Sequence, residues 1–249
     1  MDMTKKQIVL NKKMIMKRLL LIAVIFQLTS CAELQQIVNN LPNSGLTQEQ
    51  IGNGLRQALD KGIENQVSKL TAKDGFYRNE LVKILLPEEL KTVDNALRKI
   101  GLSNLADEGI KVLNRAAEDA VKTATPIFVD AVKQITFNDA KAILLGENDA
   151  ATNYLEAKTT TKLYDSFSPV ISNSFAKVGA DKIWENLITR YNAIPFVKKV
   201  NPDLTAYVTN KALNGVFTMI EIEEKGIREK VSLRTTTLLK QVFALQDNK

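Results

Sequence analysis

Apolar side chains recur at three- and four-residue spacing from residue 51 onward, and this rhythm most narrowly limits what the chain can fold into. Ile51, Leu55, Leu59, Ile63, Val67 and Leu70 form one such stripe. A period of that length lines one side of an α-helix and cannot line a strand, whose faces alternate every second residue. Thr47-Gln48-Glu49-Gln50 sits just upstream as a capping box that opens the helix. A second stripe runs through Ile110, Leu113, Ala117, Val121, Ala124, Phe128, Ala131 and Ile135, crossing Thr125-Pro126. Proline there kinks or restarts the helix, with Thr125 as its cap.

Similar punctuation recurs. Leu86-Pro87-Glu88-Glu89-Leu90 places proline at a first helical position, with acids facing the positive end of the helix dipole. Ser168-Pro169 and Asn201-Pro202-Asp203 repeat the restart signature; the latter opens a segment reaching about Lys230, and a last helix spans Thr235 to Leu245. No convincing alternating stretch or hairpin dipeptide occurs. The sequence predicts one all-α, bundle-like domain of about eight to ten helices over residues 46–249.

Ahead of the domain, Leu19 to Phe26 is unbroken apolar sequence preceded by Lys17 and Arg18. A spanning helix needs roughly 20 apolar residues, so this run has the length of a secretory signal core. Met14 or Met16 makes a more ordinary start than Met1. The run ends at Leu28-Thr29-Ser30-Cys31, and Cys31 is the only cysteine of the 249 residues. That ending resembles the lipobox of bacterial lipoproteins, which implies cleavage between Ser30 and Cys31 and acylation of the Cys31 thiol and new amino group. Two or more acyl chains anchor stably where one binds only marginally. Residues 1–30 then form a removed signal and 31–45 a tether rich in Asn, Pro, Ser and Gly. Ala32 in place of aspartate implies transfer to the outer membrane, and the isolated Glu33 favours a periplasm-facing position.

The net charge of +6 belongs to the signal. Without Lys5, Lys6, Lys12, Lys13, Lys17, Arg18 and Asp2, the remainder holds 28 basic and 27 acidic residues. Nothing in that balance points to nucleic acid. The chain has no histidine, which excludes His-based triads and His-ligated metal; no metal site and no cofactor is expected. No phosphate loop, dinucleotide fingerprint or calcium loop occurs.

On the long last-but-one helix, Ala206, Leu213, Val216, Phe217, Ile220, Ile227 and Val231 share a face, and Glu224 falls in its middle with Arg228 beside it. A carboxylate there must be paired or protonated. It reads either as an ion pair with Arg228, extended by Arg234, or as a pocket acid anchoring a small apolar ligand. Elsewhere Asp139 and Asp149 read as helix caps, Arg115 and Glu118 as solvated, and Trp184 and Tyr191 as core or, alternatively, as the lining of a pocket. Asp74-Gly75-Phe76-Tyr77 reads as a buried loop anchor or a partner contact.

Stretches such as "DGFYRNELVKILLPEEL", "NRAAEDAVKTATPIFVDAV", "GENDAATNYLEAKTTTKL" and "DLTAYVTNKALNGVF" resemble a bacterial lipoprotein family known as domain of unknown function 4197. The resemblance covers roughly residues 46–245. It implies a single helical domain in an exported, lipid-anchored protein, and implies no reaction. The sequence thus favours a non-enzymatic domain held to the membrane by acyl chains, binding a protein, an envelope component or a small apolar ligand. The rival reading is a glycan hydrolase using two carboxylates, Glu224 with Glu118, Asp119 or Glu221, spaced about 5 Å or 6.5–9.5 Å across a cleft.

Overall fold

The first helix takes shape where the capping box places it. In the computed structural model, which describes residues 45–99, 101, 103–179, scattered positions from 182 to 201, and 203–247, α1 spans Gln48–Thr71. Thr47 Oγ1 accepts from the Gln50 N–H, and the Gln50 side chain accepts from the Thr47 N–H at 2.8 Å. Two of the unpaired donors at the helix start are thereby satisfied. All six stripe residues from Ile51 to Leu70 are buried.

A 3-10 turn at Glu88–Leu90 leads into α2 (Lys91–Lys99), followed by α3 (Ser103–Val121), α4 (Ala124–Lys133) and α5 (Phe137–Leu144). Then come α6 (Ala150–Lys177), α7 (Thr205–Glu229), a 3-10 turn at Val231–Leu233 and α8 (Thr237–Asp247). Among the described residues there is no strand, and residues Leu46–Lys249 form one compact unit. The single all-helical domain therefore stands. The expected count of about eight to ten helices is slightly off in that the described helices are unequal: α1, α3, α6 and α7, of 19 to 28 residues, carry the core, and the others are pieces of 8 to 11 residues filling around them.

The long helix α6 packs on α7, α3 and α4, while α1 packs on α7, α4, α5 and α8. Between α4 and α7, Phe128 meets Phe217 edge to face with centroids 5.9 Å apart, an arrangement that aromatic quadrupoles favour. Where α1 crosses α8, a side chain on Gly54 would come within 2.6 Å of Val242 Cγ2, so only glycine permits the contact.

Two proline readings need correction. The α3–α4 break is a restart, but the cap position is Thr123, without a side-chain capping bond, and Pro126 lies inside the first turn. Ser168-Pro169 does not restart anything: α6 runs straight through Pro169. Phe167 and Ile171 on either side are fully buried, and their packing outweighs the roughly 3 kcal/mol that proline costs inside a helix. At the third site the local signature holds. Asn201 and Asp203 side chains accept from the N–H groups of Asp203 and Thr205, turning the chain into α7.

Candidate functional site

The stripe on α7 does carry Glu224 into the interior, where it is 7% exposed, with Arg228 at 5% one turn later. Arg228 Nη2 lies 2.8 Å from Glu224 Oε1, and its Nε donates to the same oxygen at 3.0 Å. The partners of each group beyond this pair explain why both are inside. Glu224 Oε1 accepts from the Ala151 N–H at 2.9 Å, and Oε2 accepts from the Thr152 N–H and hydroxyl, both at 2.8 Å. These are the free donors at the start of α6. Arg228 donates to the carbonyls of Ile143 and Leu144 at the end of α5, and to Gln246 Oε1 on α8.

The pair thus bridges two helix ends that follow one another in the chain. Glu224 sits on the positive end of α6 and Arg228 on the negative end of α5, so both charges match the dipoles they face. The connection between these helices is tight. A side chain on Gly146 would meet Ala142 O and Ala150 Cβ at 2.8 Å. Asp149, expected to cap α6, occupies the cap position but makes no capping bond. Glu224 has taken that role from 72 residues away. Asp139 caps as expected, bonding the Thr136 N–H at 2.9 Å; that bond and one from the Thr136 hydroxyl hold its carboxyl below the ordinary 3.8.

Arg234, 2% exposed, joins the same network. It donates to the carbonyls of Ile227 and Arg228, closing the end of α7, and forms a two-pronged bond to Asp247 on α8. Its guanidinium lies 5.7 Å from the Phe243 ring centroid. The hydrogen bonds from Arg234 hold the Asp247 carboxyl below its ordinary value. Glu224 and Arg228 on α7 and Arg234 just beyond it therefore converge into one assembly that ties α5, α6, α7 and α8 together.

Beside it lies a cavity of about 20 Å³ lined by Leu55, Leu59, Ile63, Ile220, Glu224 and Phe243. One water needs roughly 10–15 Å³ by this measure, and a ligand pocket spans about 300–1,000 Å³. The volume beside Glu224 has room for about one water and is far smaller than a ligand pocket.

The other acids of the carboxylate reading lie elsewhere, each with its own cation. Glu118 is 4% exposed, which corrects its expected solvation. It accepts from the Phe76 N–H at 3.2 Å and from Arg115, which also reaches Asp74. Burial works against the Arg115 charge, but Glu118 and Asp74 outweigh it and raise its pKa. Asp119 pairs with Lys122, and Glu221 with Lys225. Each of the four carboxylates is thus paired with a different cation. Among the described residues no cluster of acids or thiols is disposed to hold a metal ion.

The Asp74-to-Tyr77 turn resolves as a loop anchor. Phe76 is fully buried, its ring packed where a side chain on Gly215 of α7 would come within 2.7 Å. Asp74 adopts φ +67° to make the turn, a conformation aspartate tolerates better than most residues.

Among the buried polar residues not singled out in the sequence, Asn114 has the most extensive backbone contacts. Asn114, fully buried, accepts from the Ile84 N–H and donates to the Ile84 and Ile110 carbonyls, all at 2.8 Å. It clamps the extended segment before Pro87 onto α3. Its place between Leu113 and Ala117 on the apolar stripe was the available signal. Ser30, Cys31, Trp184 and Tyr191 lie outside the described residues. No described helix is long and apolar enough to cross a membrane.

Comparison with known proteins places these observations in a family. The model for a protein of unknown function, DUF4197, matches residues 45–244, and the chain belongs to that family. No curated protein and no solved structure matches it.

Proposed function

We propose that this DUF4197 chain is a lipid-anchored protein of the bacterial envelope whose helical domain acts through its surface, as an interaction module. The observation that carries the surface reading is the assembly around Glu224. Both of its oxygens accept from donors at the start of α6, Oε1 accepts from Arg228 as well, and the space beside it is about 20 Å³. A carrier of apolar ligands needs an order of magnitude more volume. The two-carboxylate hydrolase is disfavoured because Glu224 is buried against Arg228 with no cleft-sized space beside it, and Glu118 is buried against Arg115.

The anchor rests on the sequence alone: basic residues, a short apolar core, and Leu28-Thr29-Ser30-Cys31 directly ahead of a turn-rich tether. In this reading Cys31 is the acylated residue, residues 1–30 are removed, and the domain stands off the periplasmic face of the outer membrane. The partner is then a protein or another envelope component.

Fractionation of cells making the full chain and Cys31→Ser tests this. The native chain is expected in the outer-membrane fraction, carrying label from palmitate, and crosslinking in intact cells should yield a reproducible larger species. Cys31→Ser should lose the label and leave that fraction. A serine variant that still fractionates with the outer membrane would sink the anchor.

A further inference from the structure

Between Leu81 and Leu86 the chain alternates: Val82, Ile84 and Leu86 are buried, while Leu81 and Leu85 are 68% and 52% exposed. The exposure is imposed by rigid fixation. Asn114 grips both the N–H and the carbonyl of Ile84, and the Tyr207 hydroxyl donates to the Leu85 carbonyl at 2.9 Å. Two leucines are thus held outward at the expense of contact with water.

What borders them is specific in kind. Lys83 Nζ lies 4.8 Å over the Tyr77 ring, and Lys211 Nζ lies 5.7 Å over the Tyr207 ring. Among the described residues, neither lysine has a carboxylate partner in an ion pair. Arg78 stands 81% exposed at 3.4 Å from Asp74, an acid already engaged by Arg115. Glu80 is the exposed acid of the segment. Exposed leucines flanked by tyrosines and by cations resting on aromatic faces are the composition of a membrane–water interface. There the apolar part enters the acyl boundary, the tyrosine sits at headgroup depth, and the lysine reaches phosphate.

We infer that this strip, Tyr77 to Leu85 with Tyr207 and Lys211, seats the domain on an anionic lipid surface, the membrane that holds the acylated Cys31. The inference rests on the lipid anchor of the preceding section. Charge complementarity favours lipid: within the strip Arg78, Lys83 and Lys211 stand against the single acid Glu80, and anionic headgroups attract such cations. Size agrees. Two leucines are far short of the roughly 1,200–2,000 Å² that a stable protein interface buries. A domain already tethered docks in an intramolecular step, so weak contacts suffice.

The test uses the full acylated chain, in which acylation consumes the native cysteine. A spin label on Leu85→Cys, at an exposed site that tolerates substitution, is compared with one on Glu156→Cys, exposed on α6. Both are reconstituted in vesicles of phosphatidylethanolamine and phosphatidylglycerol. The ratio of oxygen to nickel-chelate accessibility should be several-fold higher at position 85, and replacing phosphatidylglycerol with phosphatidylcholine should reduce it. Equal ratios on a chain that floats with the vesicles would overturn the docking strip and leave the anchor intact. Protection at position 85 that requires added envelope protein would overturn it in favour of a protein interface. A chain that fails to float would overturn the anchor, and this inference with it.

Discussion

Glu224 and Glu118 sit on helices of similar pattern and are buried to a similar degree, yet only the first was legible. Glu224 interrupts a long apolar face on its own helix, so local periodicity exposes it. Glu118 lies off its stripe, and the groups that draw it inside come from the Asp74–Phe76 turn about 40 residues earlier. Removing one partner of a buried, hydrogen-bonded ion pair strands the other charge, at a cost of about 3–5 kcal/mol. Glu224→Ala should lower unfolding stability by about that amount, because Arg228 and the α6 donors lose their partner together. Urea denaturation measures it; a loss below about 1 kcal/mol would show the assembly to be incidental. At Asp247 the prediction concerns pH. Its folded pKa is depressed by Arg234, so the carboxylate stabilises the fold above its unfolded pKa of about 3.9 and loses that contribution as pH falls through the folded value. Asp247→Asn should therefore flatten the acid limb of the stability profile below about pH 4. Parallel profiles for the two proteins would contradict the linkage.

Helix boundaries show the same division between local and distant causes. Thr47 and Gln50 lie within one turn, and the capping box was readable as written. At α6 the local candidate, Asp149, yields to Glu224 on α7, a substitution no window of sequence can reveal. Pro169 fails as a helix break for a related reason: its neighbours Phe167 and Ile171 are buried against other helices, and tertiary packing overrides the local preference. Two cap substitutions separate these cases. Thr47→Ala should cost about 1 kcal/mol, the usual value of an N-cap, whereas Asp149→Ala should stay within about 0.5 kcal/mol. Thermal or denaturant unfolding of the two variants checks this, and equal losses would mean that Asp149 caps α6 after all.

At the scale of the whole molecule, residues far apart in the chain are spent on joining helices. Glu224, Arg228 and Arg234 connect the ends of four of them; Asn114 and Glu118 fix the segment from Asp74 to Leu86. The all-helical domain and its family were readable from stripes and motifs, whereas these polar connections depend on tertiary proximity. In the proposed reading, function lies at the surface and in the tether, because the space beside Glu224 is only about 20 Å³. In that reading the mature chain begins at an acylated Cys31. Intact-mass measurement of the protein extracted from its own membrane tests it most directly. The account predicts a chain starting at Cys31 whose mass exceeds that of residues 31–249 by a diacylglyceryl group and an amide-linked acyl chain. A mass that retains residues 1–30, or an unacylated start at any other position, would contradict it.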